Sequence, residues 1–199
     1  EEVTTYYKIN IHGGEAKETF KVPSYVKGIE QLSLNTYILS SKYDVASQDL
    51  MGMSKYGRED EIESRNDEKD YIVIDEIPFW ANGSGYTNKL RTRLYLYYAG
   101  RGICEVITEE YVDVESYQLN KKLKKIVYIS NEFKNKMEVY NNIYLYDIDT
   151  RQNNKIIESA EYSFSFADFI DDEHIICVGT DRKQFGINEN NKFYIIDLK

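Results

Sequence analysis

Serine residues with a partial catalytic pattern occur at two places in the sequence. A serine hydrolase needs a Gly-x-Ser-x-Gly turn, because small neighbours let a sharp strand-to-helix turn expose the nucleophile. The nearest string, Gly52-Met53-Ser54-Lys55-Tyr56-Gly57, has its second glycine one position late and follows no clear apolar strand, so we predict a loop. Ser24 and Lys27 match Ser-x-x-Lys, but the companion motifs are missing. We therefore assign no catalytic serine.

The chain has two histidines, the residue type that most often acts as a general base. His12 precedes Gly13-Gly14 in a predicted hairpin turn, and His174 begins a predicted strand after acidic residues. We interpret both as structural or exposed. The 34 acidic residues offer many partners for a serine and a histidine, but a triad is defined by geometry rather than by inventory. The sequence therefore predicts no catalytic residue in this chain.

The cysteines and histidines do not form a metal-binding pattern. Two distant cysteines, Cys104 and Cys177, and two unclustered histidines match none of the zinc-site spacings. Each cysteine lies in an apolar, strand-like segment, which predicts a buried free thiol because free cysteine behaves as a small hydrophobe. Free thiols are typical of a reducing compartment.

Two short strings resemble ligand-binding loops without completing them. Residues 147–152 begin like a calcium loop, but Arg151 stands where an oxygen ligand is needed and Gln152 stands where glycine makes the sharp turn. We predict a β-turn there. Asn82-Gly83-Ser84-Gly85 lacks the Lys-Ser/Thr pair that completes a phosphate-binding loop. The sequence predicts no metal and no cofactor.

Composition limits the fold class and the partners. The 199 residues include 19 Tyr and only 2 Pro, and tyrosine with isoleucine and valine favours strands. A net charge of −9 argues against a nucleic-acid partner, which requires clustered Lys and Arg. No apolar run approaches the ~20 residues that cross a bilayer, and no signal peptide is apparent, so we expect a cytoplasmic protein and no membrane contact. Because the chain starts at Glu1 on strand-like sequence, we interpret it as a domain cut from a longer polypeptide.

One pattern of strands recurs along the chain. Alternating apolar strands occur at residues 6–11, 94–98, 143–147 and 193–197. Each of the first three precedes a turn and a short second strand, predicted at 17–22, 103–108 and 155–158, and further apolar strands lie at 34–41, 123–130 and 172–179. The last two intervals are about 50 residues, a period typical of solenoids and propellers. Four strands per period predict β-propeller blades.

The predicted fold is all-β, a β-propeller segment of about three four-stranded antiparallel blades spanning residues 1–199. The chain opens with the outer hairpin of one blade, contains two nearly complete blades and ends before the outermost strand of the next. A closed propeller needs at least about four blades, so we expect an open arc cut from a larger propeller. Its uncovered blade faces and strand edges predict self-association.

A long blade insertion occupies residues 44–88. Its charge run at 58–70 predicts a solvated loop or a short exposed helix; alternatively, it overhangs an entrance and repels acidic substrates. Aromatic and arginine side chains in and beside the insertion are candidate contacts with a substrate or another domain: Phe79, Trp80, Tyr86, Arg91 and Arg93. The alternative is that Phe79 and Trp80 pack between blades while the arginines pair with carboxylates.

The insertion also carries a family resemblance. Ile74-Asp75-Glu76-Ile77-Pro78-Phe79-Trp80-Ala81-Asn82-Gly83-Ser84-Gly85-Tyr86, followed by Arg91-Thr92-Arg93-Leu94-Tyr95-Leu96, resembles the propeller of acylaminoacyl peptidase-like enzymes of the prolyl oligopeptidase family. Residues 111–116 and 143–150 look like that family's blade opening and its repeated strand and turn. Most of residues 6–198 can be matched to it. The polar turns at 119–122 and 170–173 depart from the family's usual Ser-Pro-Asp-Gly.

This resemblance implies a parent protein that is a serine peptidase. Its Ser-Asp-His triad would lie in an α/β-hydrolase domain that is absent from this chain and C-terminal to the propeller. The propeller would admit peptides to the active site and exclude folded proteins, and this chain alone would not be an enzyme. The alternative hypothesis is a stand-alone propeller that serves as an interaction platform.

Overall fold

The elements of the protein come from a computed structural model that describes residues 3–157 and 161–199. In chain order they are β1 (Thr4–Lys8), β2 (Lys17–Val22), β3 (Val26–Ser33), β4 (Thr36–Asp44), α1 (Lys55–Asp67), β5 (Trp80–Ala81), β6 (Gly85–Tyr86), β7 (Leu90–Tyr98), β8 (Ile103–Val106), β9 (Val112–Asn120), β10 (Lys125–Glu132), β11 (Asn142–Asp147), β12 (Asn153–Lys155), β13 (Ser163–Phe169), β14 (His174–Thr180) and β15 (Lys192–Asp197). Two short 3₁₀ turns lie at Leu50–Gly52 and Gly186–Asn188.

The strands form successive antiparallel sheets, and the predicted all-β propeller segment is confirmed. Strands β1 and β2 form a first hairpin, β3-β4-β7-β8 form blade 1, β9-β10-β11-β12 form blade 2 and β13-β14-β15 form blade 3. Blades 1 and 2 each have four strands, whereas blade 3 has three in the described part of the chain. The described part of the chain is therefore an open arc of successive sheets.

The blades pack face to face because both faces of their central strands are apolar. On β10, Ile126 and Tyr128 pack toward blade 1, while the alternate residues Val127 and Ile129 pack toward blade 3. All four side chains are at most 1% exposed. Burying one such side chain stabilises a fold by about 1.5–3 kcal/mol. A continuous apolar run is therefore what a strand between two neighbouring blades requires.

The first hairpin covers the other face of blade 1. Val22 and Phe20 on β2 pack against Leu39 of β4 and against Tyr95 and Tyr97 of β7. The phenyl ring of Phe20 lies 5.3 Å from the ring of Tyr97, centroid to centroid. This hairpin therefore takes the place of a neighbouring blade over the two central strands of blade 1.

The insertion lies between β4 and β7, and its charge run is helical. The Ser54 hydroxyl accepts a hydrogen bond from the Gly57 backbone at 3.2 Å, so Ser54 caps α1 and the predicted loop at residues 52–57 is instead a helix start. Helix α1 buries no residue, which confirms the exposed helix among the predictions for residues 58–70. The structural bounds of the insertion are residues 45–89, close to the predicted 44–88.

The turn at residues 147–152 in blade 2 tests two smaller predictions. Asp147 Oδ1 accepts hydrogen bonds from the backbones of Asp149 and Thr150, and Arg151 has a φ of 61°, so the predicted β-turn is confirmed. The short strand after it is β12 (Asn153–Lys155), not the predicted 155–158, because the turn closes earlier than the sequence pattern suggested. Residue 158 lies outside the described part of the chain.

Blade 3 presents an uncovered apolar face. Phe193 and Ile195 of β15 are 77% and 67% exposed, while the alternate residues Tyr194 and Ile196 pack toward blade 2. In blade 2, the corresponding side of β11 places Ile143 in the buried cluster against blade 3. Within the described residues, no helix is both long and apolar enough to cross a membrane.

Candidate functional site

Three long connections between the second and third strands of the blades adjoin one another. They are residues 45–89, 133–141 and 181–191, and we call the side of the arc that they occupy the loop face. The backbone of Ile77 hydrogen-bonds with Asn135 and Met137, which joins the first connection to the second. Arg182 donates to Ser163 Oγ at 2.9 Å and lies 6.0 Å from the ring of Tyr140, which joins the second to the third. The loop face is therefore one continuous surface.

An exposed aromatic group stands on this face. The short hairpin β5–β6 turns at residues 82–84, where Gly83 has a φ of +81° that only glycine adopts easily. Trp80 and Tyr86 meet edge to face across the hairpin, with ring centroids 5.1 Å apart. Phe79, Trp80 and Tyr86 are 42%, 52% and 50% exposed, so they do not pack between blades. We call these three residues the aromatic surface.

Arg91 is buried beneath this surface, in an ion pair with Glu76. Both residues are at most 2% exposed, and Arg91 Nη2 lies 2.5 Å from Glu76 Oε1. Nη1 of Arg91 donates to Glu76 Oε2 at 3.2 Å, and the same oxygen accepts from the Lys89 backbone at 2.7 Å. The pair therefore ties the end of the insertion to β7.

The same guanidinium reaches blade 2. Arg91 Nε and Nη2 donate to the Phe133 carbonyl at 3.1 and 2.6 Å, and the guanidinium carbon lies 3.7 Å from the centre of the Phe133 ring. A planar guanidinium can satisfy a carboxylate, a carbonyl and a ring at once, which a lysine cannot do. Arg91 thus links the insertion, blade 1 and blade 2 through buried contacts, and it is not an exposed contact residue.

Arg93 anchors the opposite end of the insertion. Its Nη1 lies 3.1 Å from Asp49 Oδ2, and its guanidinium carbon lies 4.1 Å from the centre of the Tyr43 ring. Tyr95 donates its hydroxyl to the same Asp49 oxygen at 2.9 Å, while the Asp49 side chain also accepts from the Met51 backbone. Burial, followed by the nearby Asp49 charge, raises the pKa of Tyr95, so its hydroxyl remains a donor.

A pocket of about 280 Å³ opens beneath the β5–β6 hairpin. Pro78, Ala81, Leu90 and Met137 give it apolar walls, and Asp113 supplies a carboxylate. Burial raises the pKa of Asp113, although its Oδ1 accepts a hydrogen bond from a β7 backbone amide at 2.7 Å, which favours the charged form. The pocket is close to the small end of the range for ligand sites, about 300 Å³. Its size and lining suit one side chain of a peptide.

His174 and the two cysteines, which could also do chemistry, occupy structural positions. His174 Nδ1 contacts Asp171 at 2.9 Å where β14 begins, and burial raises the pKa of the Cys104 thiol to about 12 and that of Cys177 to about 11. Both cysteines are free, with Cys177 buried and Cys104 half-buried. Within residues 3–157 and 161–199, no group of three His, Cys, Asp or Glu side chains could hold a metal ion.

Several residues of this site carry no signal in the sequence. Glu76 stands in an ordinary acidic pair, and nothing local shows that it is buried against Arg91. Asp113 and Met137 come to the pocket from β9 and from the connection at residues 133–141. The residue types of Phe79, Trp80 and Tyr86 and the family resemblance of residues 74–86 pointed to this part of the chain, but not to these partners.

Comparison with known proteins identifies the fold. No family model matches the sequence, and no curated protein does. Among solved structures, an acylaminoacyl peptidase in complex with Z-Gly-Gly-Phe-chloromethyl ketone matches with a TM-score of 0.60, 17% identity and coverage of 100% of this chain and 29% of that chain. The uncomplexed acylaminoacyl peptidase of Pyrococcus horikoshii matches with a TM-score of 0.61, 17% identity and the same coverage.

A third match is an uncharacterized protein of Listeria monocytogenes, with a TM-score of 0.51 and 13% identity. It covers 98% of this chain and 44% of that chain. The fold is therefore similar to the propeller region of acylaminoacyl peptidase, as the sequence resemblance implied. This chain spans less than a third of the length of the peptidases that it matches.

Proposed function

We propose that this chain is the non-catalytic propeller segment of a serine peptidase similar to the acylaminoacyl peptidases. In this proposal the parent protein has an α/β-hydrolase domain with a Ser-Asp-His triad, and the propeller restricts access to it. Short unfolded peptides pass and folded proteins do not. The free thiols Cys104 and Cys177 favour a cytoplasmic location.

The observation that carries the proposal is a rigidly held aromatic surface on the loop face. Trp80 and Tyr86 are half exposed, yet the insertion beneath them is fastened to two blades by the buried Arg91–Glu76 pair. Aromatic side chains that are fixed before binding lose little entropy and contribute most to contact surfaces. Such a surface suits repeated contact with passing peptides or with a second domain.

The pocket beneath the hairpin adds selectivity. Its apolar walls, with Leu90 and Met137, favour an aliphatic or aromatic side chain, and its volume of about 280 Å³ suits one side chain. Asp113 and Lys42 both line the pocket, so it carries charges of both signs, and its apolar walls set the preference. We therefore expect preference for apolar over charged peptides.

Trp80 is the chain's one tryptophan, so its fluorescence reports on this surface. We expect a short apolar peptide such as Gly-Gly-Phe amide to change the emission of Trp80 in the 199-residue protein, and a folded protein such as lysozyme to leave it unchanged. Tyr86→Ala should weaken peptide binding about tenfold, the effect of losing an important interface aromatic. Tyr7→Ala is the matched control, since Tyr7 is a 61% exposed tyrosine on the first hairpin.

The outcome of this titration separates the alternatives. Equal binding of the peptide by Tyr86→Ala and wild type would contradict a peptide-contacting role for the aromatic surface. The isolated chain should not hydrolyse an acetyl-amino-acid ester, whereas the full-length parent should, with loss of turnover after serine modification. Turnover by the isolated chain would refute the non-catalytic assignment.

A second candidate function is an interaction platform without a hydrolase domain. The segment Tyr71–Ile74 favours it, because its four side chains are consecutive, apolar and 45–64% exposed. An exposed run of this kind is typical of a surface that meets another protein. Reading the parent gene beyond Lys199 distinguishes the two: a hydrolase domain with a Gly-x-Ser-x-Gly turn supports the peptidase, and its absence supports the platform.

A further inference from the structure

A second cavity, of about 510 Å³, lies between helix α1 and the first hairpin. Its apolar walls are Val3 and Pro23 beside the hairpin, Leu50 in the 3₁₀ turn and Ile62 on α1. The volume is within the range of small-molecule sites, about 300–1,000 Å³. It shares none of its lining with the pocket beneath the β5–β6 hairpin.

Positive charge is concentrated around this cavity. Lys21, Lys55, Arg58 and Arg65 line it, together with a single acidic residue, Glu59. The chain as a whole has 34 acidic and 25 basic residues. Three of these cations are paired with carboxylates, Lys21 with Glu18, Lys55 with Glu59 and Arg65 with Glu61. Arg58 is therefore the cation of this cavity that best complements a ligand with an anionic group.

The helix presents this charge on one side only. Arg58, Ile62 and Arg65 follow the spacing of one helix face, line the cavity and are partly buried. Asp60 and Glu63 lie outside the lining and are exposed. Asp60 and Glu63 therefore face solvent, whereas Arg58, Ile62 and Arg65 face the first hairpin together with Glu59.

Arg58 is the cation with the most binding capacity to spare. Its Nη1 donates to the Met53 carbonyl at 2.5 Å, and within residues 3–157 and 161–199 it has no carboxylate oxygen at ion-pair distance. Arg65, in contrast, is paired with Glu61 at 2.9 Å and donates to the Gln48 carbonyl at 2.6 Å. A guanidinium has five N–H donors, so Arg58 can still bind a carboxylate.

We propose that this cavity binds an amphipathic carboxylate, a small molecule with one anionic head and an aliphatic body. Arg58 binds the head, and Leu50, Ile62 and Pro23 contact the body. The complementarity has two parts, a positive rim and apolar walls, and neither a simple anion nor a neutral lipid would use both. This site is independent of the peptidase hypothesis, because it lies outside the aromatic surface and its pocket.

Isothermal titration of the 199-residue protein with decanoate tests this assignment. We expect saturable binding with one site per chain, weakened at least tenfold by Arg58→Gln and by Ile62→Glu. Helix α1 buries no residue, so both variants should keep the fold, which circular dichroism can verify. Arg101→Gln is the matched control, since Arg101 is an exposed arginine in the turn between β7 and β8, and it should bind as wild type.

Three results would overturn the proposal. Equal affinity for decyltrimethylammonium, which has the same body and the opposite charge, would show that the cations do not select the head. Tetraglutamate is anionic but has no aliphatic body, so binding of tetraglutamate as tight as that of decanoate would show that the apolar walls have no role. Unchanged binding by Arg58→Gln together with altered Trp80 emission would place decanoate on the aromatic surface instead.

Discussion

Replacing Arg91 with methionine should destabilise the protein more than any surface substitution. The change removes the guanidinium from Glu76, which is 2% exposed, and leaves the carboxylate only a 3.8 Å contact with the Lys89 ammonium and a backbone N–H donor. Removing one member of a buried ion pair costs about 3–5 kcal/mol, because the remaining charge is uncompensated. The Phe133 carbonyl also loses both of its guanidinium donors.

Urea unfolding followed by circular dichroism measures this loss. With a slope of about 2 kcal/mol per molar urea, a loss of 3–5 kcal/mol lowers the midpoint by about 2 M. Arg151→Met is the matched control: Arg151 pairs with Glu105 at 2.6 Å, but the two side chains are 44% and 43% exposed. An exposed pair contributes about 0–1 kcal/mol, so the control should change the midpoint little.

The double variant Glu76→Met/Arg91→Met distinguishes the cost of an unpaired buried charge from a simple loss of contacts. With both charges removed, no buried charge remains uncompensated, and apolar side chains of similar volume often restore stability. We expect the double variant to be more stable than Arg91→Met alone. A midpoint for Arg91→Met within the range of Arg151→Met would refute the reasoning, because it would mean that the Lys89 ammonium or water compensates the Glu76 charge in the folded protein.

Two further predictions concern the thiols and the uncovered blade face. Burial raises the pKa of Cys104 from 9.0 to about 12, so the thiol ionises first in the unfolded protein, and stability should fall as the pH rises from about 9 to about 12. Urea midpoints across that range should fall less in Cys104→Ala than in the wild type. An equal fall in both proteins would contradict this cause. Phe193 and Ile195 expose an apolar face, so analytical ultracentrifugation should show self-association at high protein concentration. The double variant Phe193→Asp/Ile195→Asp should reduce this association. A strictly monomeric wild type would contradict a role of this face in self-association.

Strand order in the blades could be predicted because it depends on local pattern. The run Ile126–Ile129 is apolar at every position, and only a strand buried on both faces needs such a run. The repeat of about 50 residues then placed the hairpin, the two full blades and the incomplete third. Boundaries were less certain: the start of α1 at Lys55 was missed because the Ser54 cap resembled part of a loop.

The candidate site could be predicted only in part. The aromatic residues Phe79, Trp80 and Tyr86 were marked by their type and by the family resemblance, and the structure places them together on the loop face. Arg91 and Arg93 had the same mark but are buried in ion pairs. Residue type does not report burial, because a charged side chain is exposed or buried according to the partners that the fold supplies.

The sequence by itself therefore determined the class of fold, the blade order and the position of the insertion. The alternation of apolar residues and the repeat of strands can both be seen in the order of residue types along the chain. Tertiary structure alone decided which carboxylate meets which guanidinium. Glu76 and Arg91 are 15 positions apart, and Arg91 and Phe133 are 42 apart. Contacts at such separations form only when the blades stack, and the energy of a buried charge depends entirely on whether that stacking brings it a partner.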